Sequence, residues 1–110
     1  MGRREIWGAQ DFRTTLAYLV HYLVPPGASI GYHRHEGVEE CYVIMRGSGR
    51  VTVDEETGEV HSGDAILSRL GGAHGLYNHT QDEVELFLVG VCKEKGKIDV
   101  ADLGDDLANR

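Results

Sequence analysis

An all-β fold, closed into a small antiparallel jelly-roll barrel, is what this chain predicts, and three observations carry that prediction. Short runs rich in Val, Ile, Leu and Tyr recur along it, Gly, Asp, Asn and Pro separate them at close spacing, and no run sustains a helical period. The length of 110 residues, with 41% hydrophobic residues, is that of one domain around one core.

The elements follow in order. Ala9 to Phe12 reads as a helical turn. Leu16 to Val24 is a strand, stopped by Pro25-Pro26-Gly27, and Ile30 to His35 is a second, short one. Glu40 to Met45 is a third, ended by Gly47-Ser48-Gly49; it is apolar on both parities, which predicts burial on both faces. Arg50 to Asp54 alternates, and Glu55-Glu56-Thr57-Gly58 supplies the turn of a hairpin into Glu59 to His61. Ala65 to Leu67, His74 to Asn78 and Glu83 to Val91 complete the strands, with Leu70 to Ala73 a loop. Val100 to Ala108 reads as a short helix or a loose tail. Residues 1–110 thus form one domain, with a barrel core over about 16–92 and a C-terminal tail over 93–110.

Charge and composition narrow the partners. The net charge of −7 is spread along the chain and deepens at Asp99, Asp102, Asp105 and Asp106, leaving no basic stripe to neutralise phosphates, so no nucleic-acid partner is expected. No apolar run approaches the roughly 20 residues that span a bilayer, and Met1-Gly2-Arg3-Arg4-Glu5 leads into no apolar signal core. No membrane partner is expected, and the expected location is cytoplasmic. Cys41 and Cys92 each sit in an apolar run and read as buried free thiols.

The chemistry concentrates in His33-Arg34-His35-Glu36-Gly37-Val38-Glu39-Glu40. Residues two apart on a strand share a face at about 6.5 to 7 Å, so His33 and His35 can converge on one ion while Arg34 turns away. Two imidazoles and a carboxylate suit a divalent first-row metal. The carboxylate is Glu36, Glu39 or Glu40, and alternation does not choose among them. His74 lies in Gly72-Ala73-His74-Gly75, where small neighbours leave room for an imidazole, and is the natural further ligand.

These residues carry a resemblance: the chain resembles a small single-domain cupin. That family's first motif runs Gly, five residues, His-x-His, three or four residues, Glu, six residues, Gly, and Gly27, His33, His35, Glu40 and Gly47 meet each spacing. The gap to Gly47 selects Glu40. The second motif is met by Gly63, Gly71, His74 and Asn78, with Arg69 standing where the family usually has proline. The two motifs span Gly27 to Asn78.

The resemblance implies one divalent metal ion (Mn, Fe, Ni, Co, Cu or Zn) held by His33, His35, Glu40 and His74, with two octahedral positions left for water or substrate. It implies a small-molecule ligand that chelates through oxygen, such as a 2-oxo acid, a diacid or a sugar-like enediol. Tyr42 shares the parity of Glu40 and is a candidate to hydrogen-bond that ligand; Arg46 and Arg69 are candidates to bind its charge. His21 faces either way and reads as a packed or exposed residue, Asn78 as a structural one, and Glu39 as a solvated carboxylate or one supporting a ligand from behind. Two functions stay open: a small metalloenzyme, whether dioxygenase, decarboxylase or isomerase, and a module that binds or senses a small molecule without turnover. A homodimer is expected, paired through Leu16 to Val24 or the tail.

Overall fold

A computed structural model describes residues 1–110. Ten strands form two five-stranded antiparallel sheets: β1 (Gly2–Gly8), β2 (Leu16–Val24), β9 (Val84–Cys92), β4 (Val38–Arg46) and β7 (Ala65–Ser68) in one, and β10 (Ala101–Asp102), β3 (Ser29–Arg34), β8 (Ala73–Tyr77), β5 (Ser48–Val53) and β6 (Glu56–His61) in the other. The order within each sheet is as written. The sheets close over one core as an all-β jelly roll.

That core follows from alternation. On β2, Tyr18, Val20 and Val24 point inward; on β9, Val84, Leu86 and Leu88; on β4, Val38, Tyr42 and Ile44. Burying one such aliphatic side chain stabilises by about 1.5–3 kcal/mol. Gly47 ends β4 at φ 87°, and a Cβ there would lie 2.6 Å from the Glu83 carbonyl oxygen, so only glycine fits this turn.

The span of β2 is as the sequence predicts. Three expectations are corrected and one strand is added. The hairpin turn is narrower than Glu55 to Gly58: Asp54 and Glu55, at φ 47° and 73°, make the whole turn, and Glu56 to Gly58 pair with Val51 to Val53. The tail holds a two-residue strand and a single 3₁₀ turn, Leu107–Asn109, in place of a helix over Val100 to Ala108 or a loose segment. Its β10 pairs with β3, and Leu107 is buried in a 3₁₀ turn against Tyr32 and Ala73. At the other end β1 pairs with β2, an edge strand that exposed Arg-Arg-Glu residues hide from a hydropathy pattern. Finally, β4 is buried on one face only: Cys41 and Val43 are partly exposed on the outer face, and Met45 is 48% exposed.

Candidate metal centre

The site lies between the sheets. His33 pairs in register with His74 across β3 and β8, and His35 follows just beyond the end of β3, where its backbone N–H donates to the Gly72 carbonyl. Glu40 enters from β4 in the opposite sheet. One ligand atom from each of the four lies within 4.8 Å of the others. Arg34, between the two histidines, is exposed as alternation requires.

Glu40 Oε1 is the point of convergence, with His74 Nε2 at 2.5 Å, His35 Nε2 at 3.2 Å and His33 Nε2 at 3.6 Å. The Nδ1 atoms of His33 and His35 are turned away onto backbone carbonyls, His33 to Gly31 at 2.6 Å and His35 to Asp99. Such bonds fix the tautomer that leaves Nε2 free to ligate. His35 Nε2 is buried and makes no hydrogen bond. Metal bonds of about 2.1 Å put neighbouring ligand atoms about 3 Å apart and opposite ones about 4 Å apart. The four residues therefore fit a divalent ion, and three neutral imidazoles with one carboxylate are the donor set of a borderline first-row metal.

Burial and charge act differently on the members of the cluster. Burial opposes ionisation of Glu40, yet the three imidazoles hold its carboxyl well below the usual carboxylate range. Burial lowers His74, which favours the neutral ring a metal needs; in His35 the close approach of Glu40 outweighs burial and raises it.

Tyr18, on β2, is part of the site, and the sequence analysis did not single it out. Its hydroxyl donates to Glu40 Oε2, leaving Oε1 to the histidines. Burial and the Glu40 charge push the Tyr18 hydroxyl far above its ordinary value, so it stays a donor. The contact crosses β9 at Gly90, which pairs with both Tyr18 and Glu40. A Cβ on Gly90 would lie 2.5 Å from the Tyr18 ring. A lone glycine in an apolar strand is the one sequence signal that pointed here.

The three residues expected to meet a ligand stand elsewhere. Tyr42 is wholly buried and stacks on His74, with ring centroids 4.5 Å apart, so it backs the imidazole and does not face open space. Its hydroxyl has no hydrogen-bond partner. Arg46 lies six residues along β4 from Glu40, about 20 Å at the rise of a strand, and pairs on the outer surface with Glu83 and Glu85. Arg69 is exposed and lines no part of the cavity over the cluster. That cavity, of about 570 Å³, reaches His33, His35 and Glu40 at its floor, and its only arginine or lysine is Arg3 of β1. His21 is on the outer face with Glu85 at 2.8 Å, and Glu39, which pairs with Val91, is on that face too.

Residues 20–90 match the model of the cupin domain family. The chain is 32% identical over 66 residues to an oxalate-binding protein of Thermotoga maritima, covering 60% of this chain and 54% of that one. It is 35% identical over 75 residues to an uncharacterized protein of Methanocaldococcus jannaschii, covering 68% and 60%. The chain thus spans between half and two thirds of the length of these curated relatives. Among solved structures, a predicted oxalate decarboxylase of Thermotoga maritima superimposes with a TM-score of 0.79 at 23% identity, over 82% of this chain and 78% of that one, a likeness of fold.

Proposed function

The chain belongs to the cupin domain family, and from that premise we propose that it is a small metalloenzyme holding one divalent ion at His33, His35, Glu40 and His74 and acting on a small oxygen-rich acid, a 2-oxo acid or diacid. The observation that carries this is the convergence of the four ligand atoms, with His33, His35 and Glu40 at the floor of a cavity and His74 buried behind them. The relative named for binding oxalate supports an acid as the ligand.

A divalent ion there supplies Lewis-acid polarisation of a chelated carbonyl or carboxylate. The chain's own residues do the rest. Gly31 and the Asp99 carbonyl orient two imidazoles, Tyr18 aims one oxygen of Glu40 at the cluster, and Tyr42 supports the His74 ring. Ile30 and Leu88 limit the water around the bound acid. The free thiols of Cys41 and Cys92 accord with the cytoplasm as its location.

Elemental analysis of protein prepared without added metal, beside His33→Ala and His74→Ala, tests the site. One ion per chain that is lost in both variants is expected; full occupancy in the variants sinks the reading. Binding without turnover is the second reading, favoured by the relative's name. A metal-loaded protein that retains oxalate or a 2-oxo acid chemically unchanged, by mass spectrometry of the bound acid, decides for it.

The homodimer belongs to the same proposal, with its surface revised from an edge to a face. Trp7, Leu19, Val89, Cys41 and Leu67 stand in one register row across all five strands of the larger sheet, on its outer side. Trp7 and Leu67 are each 52% exposed. An antiparallel sheet that faces water carries polar residues outward, whereas this row is apolar on every one of the five strands. A second copy, related by a two-fold axis, is the occupant that offers the same apolar row in return. A dimeric mass in solution that becomes monomeric with Leu67→Glu is expected; a monomeric parent protein overturns it.

A further inference from the structure

The cavity over the cluster has two chemically different ends. One is the histidine and glutamate floor. The other is Arg3, whose Nε donates to the Tyr22 hydroxyl at 3.1 Å and whose guanidinium lies 5.8 Å from the centre of the Tyr22 ring. These two contacts hold the side chain while its terminal NH₂ groups remain without a protein acceptor. The rest of the lining includes the apolar side chains of Ile30, Leu88, Ile98 and Val100 and the ring of Tyr32. The one other carboxylate along the cavity, Asp102, accepts from the backbone N–H of Gly104 at 2.8 Å.

The register sets the separation. Tyr18, which touches Glu40, and Tyr22, which holds Arg3, are both inward residues of β2 and four positions apart, about 13 Å along a strand. The Arg3 guanidinium is held at Tyr22, four residues along the strand from the Tyr18 that touches Glu40. An oxalate-sized diacid is too short to touch both ends.

The geometry points to Arg3 as the residue that selects the ligand: the cavity takes a 2-oxo acid whose far end carries a second carboxylate, the head chelating at His33, His35, Glu40 and His74 and the tail paired with the Arg3 guanidinium. This rests on the metal-site reading above and adds the identity of the tail. A guanidinium fork pairs with a carboxylate through two charge-assisted hydrogen bonds, and a partly desolvated site strengthens them. Lysine keeps the charge and loses the fork, so it restores only part of the affinity.

Calorimetric titration of the manganese-loaded full chain tests this with three probes. They are 2-oxoglutarate, 2-oxopentanoate (the same chain ending in methyl) and oxalate. Expected is binding of 2-oxoglutarate at least about tenfold tighter than of 2-oxopentanoate, with that preference abolished in Arg3→Gln, partly restored in Arg3→Lys, and oxalate affinity the same in all three proteins. Arg3 is exposed, so the variants keep the parent melting temperature. Equal binding of the two 2-oxo acids to parent and Arg3→Gln overturns the anchor and leaves the metal site standing. Failure of every probe to bind the manganese-loaded protein overturns the acid-ligand reading above and the anchor with it, and failure of the chain to take up manganese overturns the metal site itself.

Discussion

Two buried polar centres sit in this barrel, and they are built in opposite ways. Asn78 is fully buried, and its side chain is satisfied by protein: Nδ2 donates to the Val24 and Asp82 carbonyls, and Oδ1 accepts from the N–H and hydroxyl of Thr80. The cluster of His33, His35, Glu40 and His74 is buried except at the half-buried His33, yet three imidazoles compete for one carboxylate oxygen, and His35 Nε2 and His74 Nδ1 have no hydrogen-bond partner. Burying polar groups is tolerated when they are bonded and costly when they are not. A centre that closes on itself serves stability; one left open is built for a ligand.

Breaking the open centre carries the largest effect. Glu40→Gln keeps the shape and removes the charge, so affinity for a divalent ion falls more than about a hundredfold, read by titration of metal-free protein. Breaking the closed centre acts on folding instead. Asn78→Ala leaves the Val24 and Asp82 carbonyls and the Thr80 donors without their buried partner, at about 1–3 kcal/mol for a group so stranded. Urea unfolding measures that loss, while metal stoichiometry of the folded variant stays at the parent value. A variant that lost both would erase the distinction between the centres.

A smaller effect sharpens it. Tyr18→Phe frees Glu40 Oε2 to rotate, lowering metal affinity by about tenfold with the fold intact, as circular dichroism and the same titration report. The least effect is in the acid limb of stability for metal-free protein. The folded carboxyl of Glu40 lies below its unfolded value of about 4.3, so its contribution is fully present above that value and lost as pH falls toward the folded one. Glu40→Gln flattens that limb, whereas Asn78→Ala lowers the whole curve without changing its shape; denaturation at a series of pH values separates the two.

Legibility follows the range of the interaction. Strands were readable where one face is buried and turn residues bound them, as in β2 and β9. The strand β1 carries Arg3, Arg4 and Glu5 at an exposed edge, and β10 has two residues, so neither leaves an apolar pattern. Within the site, His33 and His35 follow from two-residue periodicity, but the choice of Glu40 came from motif spacing, since β4 is apolar on both parities. Tyr18 was hidden because its contact with Glu40 passes over Gly90 on a third strand.

By itself, then, the amino-acid order determined the all-β class, most strand positions and the pairing of His33 with His35, because these rest on alternation and turn chemistry, which are local; Glu40 and His74 were singled out by the resemblance to the cupin motifs. Tertiary structure decided which oxygen of Glu40 faces the histidines and which cation reaches the cavity. It also decided that Tyr42 supports while Tyr18 aims. Each depends on side chains of different strands brought within a few ångströms by sheet closure. Such contacts between residues far apart in the chain have no period along it.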